Sequence, residues 1–354
     1  MFVKRKRVDS ATGRSFGSIG IPGKHVSHFY FTANSWSADS SGLVLNVMES
    51  RDSFGGNLYR FDSNSGESKL LLENHEWGNG TVGSDDRYYY YEGHRIQSIG
   101  IHDREIQVLY EDEDESVRFG GPMSITNDAG TLGFAVKRDG VSYASLLEVR
   151  TGKLQEVAAP RFPEPHPIMT HPMVNPADRN LIFYCHEGRT DQIPDRIWVA
   201  NTEEGTKTNL FGQRRLLGEE GSQLGEWVGH EMWSYDGKKL FFVKYAGSPL
   251  GPTGVYAIDA DGAGVTFING DYPYWHVAVS PDGRYAVADT QEFPTMPRIV
   301  LIDLRSGRSE WLCHAPCWKK HPSHPHPSFS PDSKSIVFSR MNEDGELEAA
   351  LIDL

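Results

Sequence analysis

A turn followed by an apolar strand recurs seven times in this chain and constrains its fold more than any other feature. Four copies of the turn are Asn-Pro-Ala-Asp at 175–178, Ser-Tyr-Asp-Gly at 234–237, Ser-Pro-Asp-Gly at 280–283 and Ser-Pro-Asp-Ser at 330–333. The other three copies begin at Trp36, Gly83 and Thr126. Asp-Gly and Pro-Asp favour hairpin turns, and alternating Val, Ile and Phe favour half-buried strands. A spacing of roughly 40–60 residues is typical of four-stranded propeller blades.

The two ends of the chain complement each other in this pattern. The C-terminal Ala350-Leu-Ile-Asp-Leu ends after the third strand of the seventh blade, and the missing turn and outer strand stand near the N-terminus, from Val8 to Gly17. Pairing of the two ends removes exposed sheet edges and fixes the blade number. We therefore predict an all-β protein with one domain over 1–354: a seven-bladed β-propeller of four-stranded antiparallel blades, closed by an N-terminal strand that completes the last blade. The alternative, two stacked β-sandwiches, leaves the matching ends unexplained.

Composition narrows the classes of function. The 354 residues are 38% apolar, which suffices for a large core, and the net charge of −13 argues against a nucleic-acid-binding surface. Three cysteines do not make a disulfide framework; Cys313-His-Ala-Pro-Cys317 resembles a zinc half-site but has no second pair. The basic N-terminus is not followed by an apolar run, and no stretch approaches the ~20 apolar residues of a membrane span. We expect a cytoplasmic protein without a membrane partner.

Four histidines occupy the same position in four successive repeats. Six residues before the third residue of each turn stand His171, His230, His276 and His326. Equivalent positions of a closed propeller lie on a ring about its axis, so we expect these side chains at one channel mouth, on blades four to seven. Imidazoles that converge on one point suit a metal site or a proton-transfer site.

The seventh repeat adds two more histidines, His321 and His324, in Lys-His-Pro-Ser-His-Pro-His-Pro. In an extended chain His324 and His326 point to the same side, ~6–7 Å apart, and the intervening prolines keep the backbone extended. Two such imidazoles can share one cation, with His276 of blade six as a third ligand. All-imidazole ligation suits Zn, Mn, Fe, Ni or Cu, and the sequence does not choose among them.

Two arginines stand near the same mouth. Arg189 ends the second strand of blade four, and Arg196 opens its third. An arginine there can reach over the channel and clamp a carboxylate bidentately. The alternative for either residue is a surface salt bridge.

These residues resemble the oligogalacturonate lyase family, polysaccharide lyase family twenty-two. The similar stretches are Cys185-His-Glu-Gly with Asp195-Arg-Ile-Trp, Gly229-His-Glu-Met-Trp-Ser-Tyr-Asp-Gly, and His324-Pro-His-Pro-Ser-Phe-Ser-Pro-Asp. The resemblance spans the chain; it is strong in blades four to seven and loose in blades one to three. It implies a cytoplasmic seven-bladed propeller that cleaves short oligogalacturonides by β-elimination, with a divalent metal that is commonly manganese.

The resemblance also implies a metal site. His276, His324 and His326 take the places of three ligand histidines, and His321 stands where the family has a glutamine. The site implied is therefore all-histidine. This departure leaves the metal open: Mn²⁺ is expected, with Zn, Fe and Ni as alternatives.

The remaining roles concern the substrate. By resemblance, His230 is the base and Arg196 the arginine that meets the substrate, while His171, Arg189 and His186 are expected to line the site. Elimination removes the proton at C5, beside the uronate carboxylate, and expels the oxygen at C4. A metal and Arg196 would stabilise the charge that develops on that carboxylate, and a neutral imidazole, whose ordinary pKa is ~6.5, can take the proton. Candidates for stacking on sugar rings, with core packing as the alternative, are Trp198, Trp233, Tyr274 and Trp275.

Three alternatives stay open at this stage. The same reaction can act on another uronate-containing oligosaccharide, for which the His321 departure is a motive. A non-enzymatic propeller scaffold that binds proteins through its faces predicts no bound metal and no role for His230. A metallohydrolase is disfavoured because the ligand set has no carboxylate. Chain length of the substrate, its mode of cleavage and the oligomeric state are not encoded in recognisable motifs.

Overall fold

The strands of this protein form a closed ring of seven antiparallel sheets. The computed structural model describes residues 1–51, 53–76, 78–216, 223–292, 296–318 and 320–354, and these residues contain 29 β-strands and no α-helix. First strands of several neighbouring blades contact one another around a central channel. The predicted seven-bladed β-propeller is confirmed. No described helix is long and apolar enough to cross a membrane.

The strands of each blade follow one another from the channel outwards. Blade one consists of β3 (His25–Ser27), β4 (Gly42–Met48), β5 (Gly55–Asp62) and β6 (Ser68–Glu76). Blade two consists of β7 (Gly80–Val82), β8 (Arg87–Glu92), β9 (Arg95–Gly100) and β10 (Ile106–Glu111). Blade three consists of β11 (Arg118–Ile125), β12 (Thr131–Arg138), β13 (Val141–Glu148) and β14 (Lys153–Ala158).

Blades four to six repeat this order. Blade four consists of β15 (Ile168–Val174), β16 (Leu181–Glu187), β17 (Ile197–Asn201) and β18 (Thr206–Asn209). Blade five consists of β19 (Val228–Trp233), β20 (Lys239–Lys244), β21 (Gly254–Asp259) and β22 (Val265–Asn269). Blade six consists of β23 (Tyr274–Val279), β24 (Tyr285–Thr290), β25 (Arg298–Asp303) and β26 (Ser309–His314).

The last blade joins both ends of the chain. It contains β27 (Ser328–Phe329), β28 (Ser335–Met341) and β29 (Leu347–Asp353), followed by β2 (Ser15–Gly20) and β1 (Val3–Val8). Strand β2 pairs with β29, which confirms the predicted closure. The fifth strand, β1, was not predicted. Its arginines Arg5 and Arg7 lie 3.3 and 3.7 Å from the buried carboxylate of Glu348 on β29, so the closure also carries buried charge.

The repeated Ser-x-Asp turn has a structural role. The hydroxyl of Ser280 donates to Asp282 at 2.6 Å, and the backbone N–H of Tyr285 donates to Ser280 Oγ at 2.9 Å. Ser234 and Ser330 make the same contacts in their turns. These bonds fix the hairpin between the first and second strands of a blade, and apolar side chains between adjacent blades form the core.

Bulges interrupt the innermost strands where the histidines stand. In β15, β19 and β23 the pairing register shifts by one residue, between Thr170 and Met173, Gly229 and Met232, and Tyr274 and Val277. The ring histidines His171, His230 and His326 have positive φ angles of 51°, 56° and 45°. A non-glycine residue in that conformation costs about 1–3 kcal/mol and is found mainly at functional sites, where a bulge re-aims a side chain.

Candidate metal centre and adjacent base

Three histidines from blades six and seven meet at the channel mouth. The ligand atoms of His276, His324 and His326 lie within 4.8 Å of one another, and all three side chains are buried. The ring centroids of His276 and His326 are 4.4 Å apart, and those of His324 and His326 are 5.5 Å apart. Among the described residues this is the one group of three or more His, Cys, Asp or Glu side chains close enough to share an ion. Cys313 and Cys317 belong to no such group.

A buried carboxylate orients His276. Its Nδ1 lies 2.8 and 2.9 Å from the two oxygens of Asp289, which also accept the backbone N–H groups of His276 at 2.8 Å and His326 at 3.2 Å. The Nε2 of His276 is buried and has no hydrogen-bond partner in the part of the chain that the structure describes. A carboxylate on one ring nitrogen and an open lone pair on the other is the usual arrangement of a metal-ligating histidine. Burial raises the pKa of Asp289 to about 7, and a cation on His276 would favour its ionised form.

A fourth imidazole lies beside the three. The ring of His321 is 4.2 Å from that of His324 and 5.1 Å from that of His326, nearly parallel to the latter. Burial, followed by the neighbouring imidazoles, lowers the pKa of His321 to about 3, and burial also holds the pKa values of His276 and His326 well below 6.5. Metals bind the neutral imidazole, so these donors fit a divalent cation without first losing protons at neutral pH.

His230 stands next to this cluster in a different setting. Its ring centroid is 4.0 Å from that of His276, and its Nδ1 lies 2.6 Å from the carbonyl oxygen of Trp275 and 3.0 Å from the hydroxyl of Tyr245. A carbonyl only accepts, so Nδ1 carries the proton and Nε2 carries the lone pair. Burial, then the nearby His276 and Arg196, hold the pKa of His230 well below 6.5. The ring of His230 is therefore a neutral imidazole, and its unprotonated, basic nitrogen is Nε2.

Arg196 is buried and already paired on two sides. Its Nε and Nη2 donate to Glu231 at 2.6 and 3.4 Å, and Nη1 and Nη2 donate to Glu187 at 3.1 and 3.4 Å. Burial raises the pKa of Glu187, but the Arg196 charge outweighs it and the pKa falls to about 2. Four of the five guanidinium N–H groups are thus engaged. We expected Arg196 to bind a substrate carboxylate through two N–H groups. One N–H has no partner among the described residues, so a bidentate contact would require one glutamate to release a second N–H.

The three residues expected to line the substrate site have different environments. His171 lies at the mouth, with Nε2 3.7 Å from Glu187. His186 is held inside blade four, because its two nitrogens contact Asp195 at 2.7 Å and the backbone oxygen of His166 at 2.8 Å. The exposed Arg189 pairs with its neighbour Asp191, at 2.7 Å. Of the three, the structure brings only His171 to the other histidines.

Two aromatic side chains from blade one fill the centre of the histidine ring. The centroid of Tyr30 is 4.7 Å from His326, and that of Phe31 is 5.2 Å from His276. Tyr30 also stacks on His171, at 5.8 Å and 18°. Both side chains are buried. Sequence reasoning missed them because blade one lacks a histidine at the repeated position; the run His-Phe-Tyr-Phe before its turn was the available signal.

The candidate sugar-stacking residues also separate into two kinds. Tyr274 and Trp233 are buried and hydrogen-bonded, to Asn269 Oδ1 and to the backbone oxygen of Met173 respectively. Trp198 packs on Phe162 and Tyr184 within blade four. Only Trp275 of the four packs on the histidine cluster, with its ring 4.2 Å from His324 and 4.6 Å from His276.

A separate cavity of about 420 Å³ opens at the other end of the channel, near the Ser-x-Asp turns. Phe31 borders both this cavity and the histidines. The lining includes Asn34, Thr81, Asn127, Trp233, Tyr235 and Phe329. No histidine or charged side chain is among the described residues that line it.

The fold and the site together define a seven-bladed propeller with a candidate metal centre of clustered histidines beside a separately held, neutral imidazole. The family model for oligogalacturonate lyase matches residues 2–352. The chain therefore belongs to the oligogalacturonate lyase family, whose members are lyases that act on polysaccharides.

Individual relatives agree with this assignment. The chain is 24% identical to the oligogalacturonide lyase of Pectobacterium atrosepticum and 24% identical to the oligogalacturonate lyase of Dickeya dadantii, in each case over 94% of this chain and 91% of the relative. A solved oligogalacturonate lyase in complex with manganese superposes with a TM-score of 0.85 at 21% identity, covering 100% of this chain and 96% of that one. The oligogalacturonate lyase of Vibrio parahaemolyticus gives a TM-score of 0.83 at 19% identity, covering 100% and 97%. These two structures share the fold.

Proposed function

We propose that this protein is a divalent-metal-dependent lyase that cleaves short oligogalacturonides by β-elimination, in the breakdown of pectin. The observation that carries the proposal is the pairing of two sites: three buried imidazoles within 4.8 Å of one another, and His230 beside them, whose hydrogen bonds to described residues are both made by Nδ1. The names of the relatives support the substrate class. The cytoplasmic location expected from the sequence stays a prediction.

The cofactor proposed is a divalent cation held by His276, His324 and His326, with His321 as a fourth ligand. Bound there, it would supply a positive charge close to the uronate carboxylate. Manganese is the metal in one structural relative, and it is our first expectation here. Zinc, iron and nickel are the alternatives, because imidazole suits them well.

Residues of the chain itself abstract the proton, stabilise the developing charge and hold the sugar. His230 accepts the C5 proton on Nε2, and the carbonyl of Trp275 holds the Nδ1–H so that the lone pair stays on Nε2. Arg196 directs its remaining N–H at the carboxylate on which negative charge develops, in a setting from which water is largely excluded. His171 and Trp275 flank the sugar. The electrons of the C5–H bond form the C4–C5 double bond, and the C4–O bond breaks to release the leaving sugar.

The test is an assay of the metal-reconstituted protein on di- and trigalacturonate. We expect unsaturated or keto-uronate products and their loss in His230→Ala, with metal content unchanged in that variant. His102→Ala is the matched control, because His102 is a half-exposed histidine on blade two that pairs with Asp86. It should retain full activity.

Each other outcome has a distinct meaning. Saturated products in place of unsaturated ones would identify a hydrolase and contradict the proposal. Bound metal without product would exclude galacturonate, and glucuronate-containing oligosaccharides would be assayed next. Neither metal nor product would favour a propeller scaffold that binds proteins.

A further inference from the structure

A tyrosine outside the expected site touches the proposed base. The hydroxyl of Tyr245 lies 3.0 Å from Nδ1 of His230, and the two rings meet edge to face at 5.6 Å and 83°. Tyr245 follows β20, and its backbone makes two hydrogen bonds of 2.9 Å. Its N–H donates to the carbonyl oxygen of Trp227, and its carbonyl oxygen accepts the backbone N–H of Ser248. Two backbone hydrogen bonds of Tyr245 therefore help to place the hydroxyl.

The direction of this contact follows from the other partner of Nδ1. The carbonyl oxygen of Trp275, 2.6 Å away, requires a proton on Nδ1, because two lone pairs would repel at that distance. The Tyr245 hydroxyl consequently acts as a second acceptor for the same N–H. Two acceptors on one nitrogen fix the tilt of the ring as well as its tautomer. When Nε2 gains a proton, both acceptors stabilise the positive charge.

Gly229 provides the space that this contact needs. A Cβ built on Gly229 would stand 2.1 Å from the Tyr245 hydroxyl oxygen and 3.0 Å from its Cζ. The φ of Gly229 is not among the positive values of this chain, so its backbone conformation does not itself demand glycine. The missing side chain at 229 therefore serves the approach of Tyr245 to His230.

We propose that Tyr245 is a positioning residue of the lyase reaction, which holds the Nδ1–H of His230 and thereby aims Nε2 at the substrate, and that Gly229 is required for this contact. The proposal rests on the function proposed above for His230. It assigns no contact between Tyr245 and the substrate, and none with the metal ligands.

The test combines Tyr245→Phe, Gly229→Ala and the double variant. Loss of a hydrogen bond to a group that becomes charged should lower kcat about 10-fold in Tyr245→Phe, with KM and metal affinity unchanged. Gly229→Ala should lower kcat at least as much by displacing the hydroxyl. The double variant should fall little further, because both changes remove one interaction. Tyr256→Phe is the matched control: its hydroxyl donates to the oxygen of Pro252 at 2.6 Å in the same blade, and its loss should leave kcat unchanged.

A second readout does not depend on turnover. In zinc-loaded protein with ¹⁵N-labelled histidine, His230 is identified by the signals missing from His230→Ala. We expect an Nδ1–H tautomer whose Nδ1 signal shifts in Tyr245→Phe but stays in place in Tyr256→Phe. Unchanged His230 signals in Tyr245→Phe, or multiplicative losses of kcat in the double variant, would overturn the proposal. If no variant or parent cleaves galacturonate, the proposed substrate fails and the ¹⁵N signals still decide the role of Tyr245.

Discussion

The two ends of the propeller channel are built by the same seven strands and differ completely in chemistry. At one end stand six imidazoles, an arginine and three carboxylates; at the other, a cavity of about 420 Å³ has neither histidine nor charge among its described lining residues. Phe31 separates them. The turn end carries the residues that make a blade fold, such as Ser280 and Asp282, and the entry end carries the bulges that aim side chains inwards.

The two ends also differ in how strongly local folding constrains their residues. The same Ser-x-Asp contacts recur in the hairpins of blades five, six and seven, so the turn end is constrained there by local structure. At the entry ends, three histidines adopt the strained positive φ that a regular strand does not require. Chemistry should therefore respond to substitution at one end only.

The largest effect should follow from His276→Ala. It removes one of the proposed ligands and leaves the carboxylate of Asp289 buried without its imidazole partner. Metal affinity should fall by more than about 100-fold, which exceeds the usual effect of an outer-shell change, and activity should disappear. Metal content after dialysis and calorimetric titration measure this. His75→Ala is the control, since His75 is buried in blade one and bonded to Tyr88. An equal loss of metal there would show that loss of any buried histidine weakens metal binding through the fold.

Asp289→Asn should give the next largest effect. The amide preserves shape but accepts weakly from the imidazole, so His276 loses its orientation. We expect metal affinity to fall about 10- to 100-fold with the fold intact. Asp261→Asn is the control, because Asp261 is a turn residue far from the histidines in sequence, and its carboxylate accepts the backbone N–H of Ala263. Equal affinities for Asp289→Asn and the parent protein would remove Asp289 from the metal centre.

The substitution His321→Gln tests whether His321 belongs to the metal-binding set at the histidine end. Imidazole suits zinc and nickel, whereas an amide oxygen suits manganese. The ratio of zinc affinity to manganese affinity should therefore fall by about 3- to 10-fold, with His324 and His326 still in place. Competition titrations with the two metals give the ratio. A ratio that does not move would mean that His321, although 4.2 Å from His324 between ring centroids, stays outside the ligand set.

The sequence predicted what repeats and missed individual contacts that no repeat encodes. Seven turns fixed the propeller, the matching ends predicted β2 against β29, and a common register brought His230, His276 and His326 together. Local periodicity carries all of this. The second acceptor on His230 comes from Tyr245, fifteen residues away in the chain.

The partners of Arg196 show the same limit more clearly. Glu231 is thirty-five residues from Arg196 and on another blade, and no spacing rule joins them. Asp289 is an exception, because a single acid inside the otherwise apolar strand Tyr285–Thr290 is recognisable in the sequence. Contacts of this kind depend on how blades are arranged around the channel, so they follow from the assembled ring and not from any one repeat.

The smallest effect should follow from changing the turn end, and it tests the comparison most directly. Tyr235 lines the cavity near the Ser-x-Asp turns and is about half exposed. Its hydrogen bond to Asn127 uses the backbone oxygen, which a substitution keeps. Tyr235→Ser should change the free energy of unfolding by no more than about 0.5 kcal/mol and leave kcat unchanged. Tyr30→Ser makes the same change among the histidines, where the ring is buried. It should lower the free energy of unfolding by about 3 kcal/mol and kcat by about 10-fold. Parallel thermal unfolding and turnover measurements on the two variants decide the matter. If Tyr235→Ser slows turnover as much as Tyr30→Ser does, the channel acts as one unit through Phe31, and the separation of a folding end from a chemical end fails.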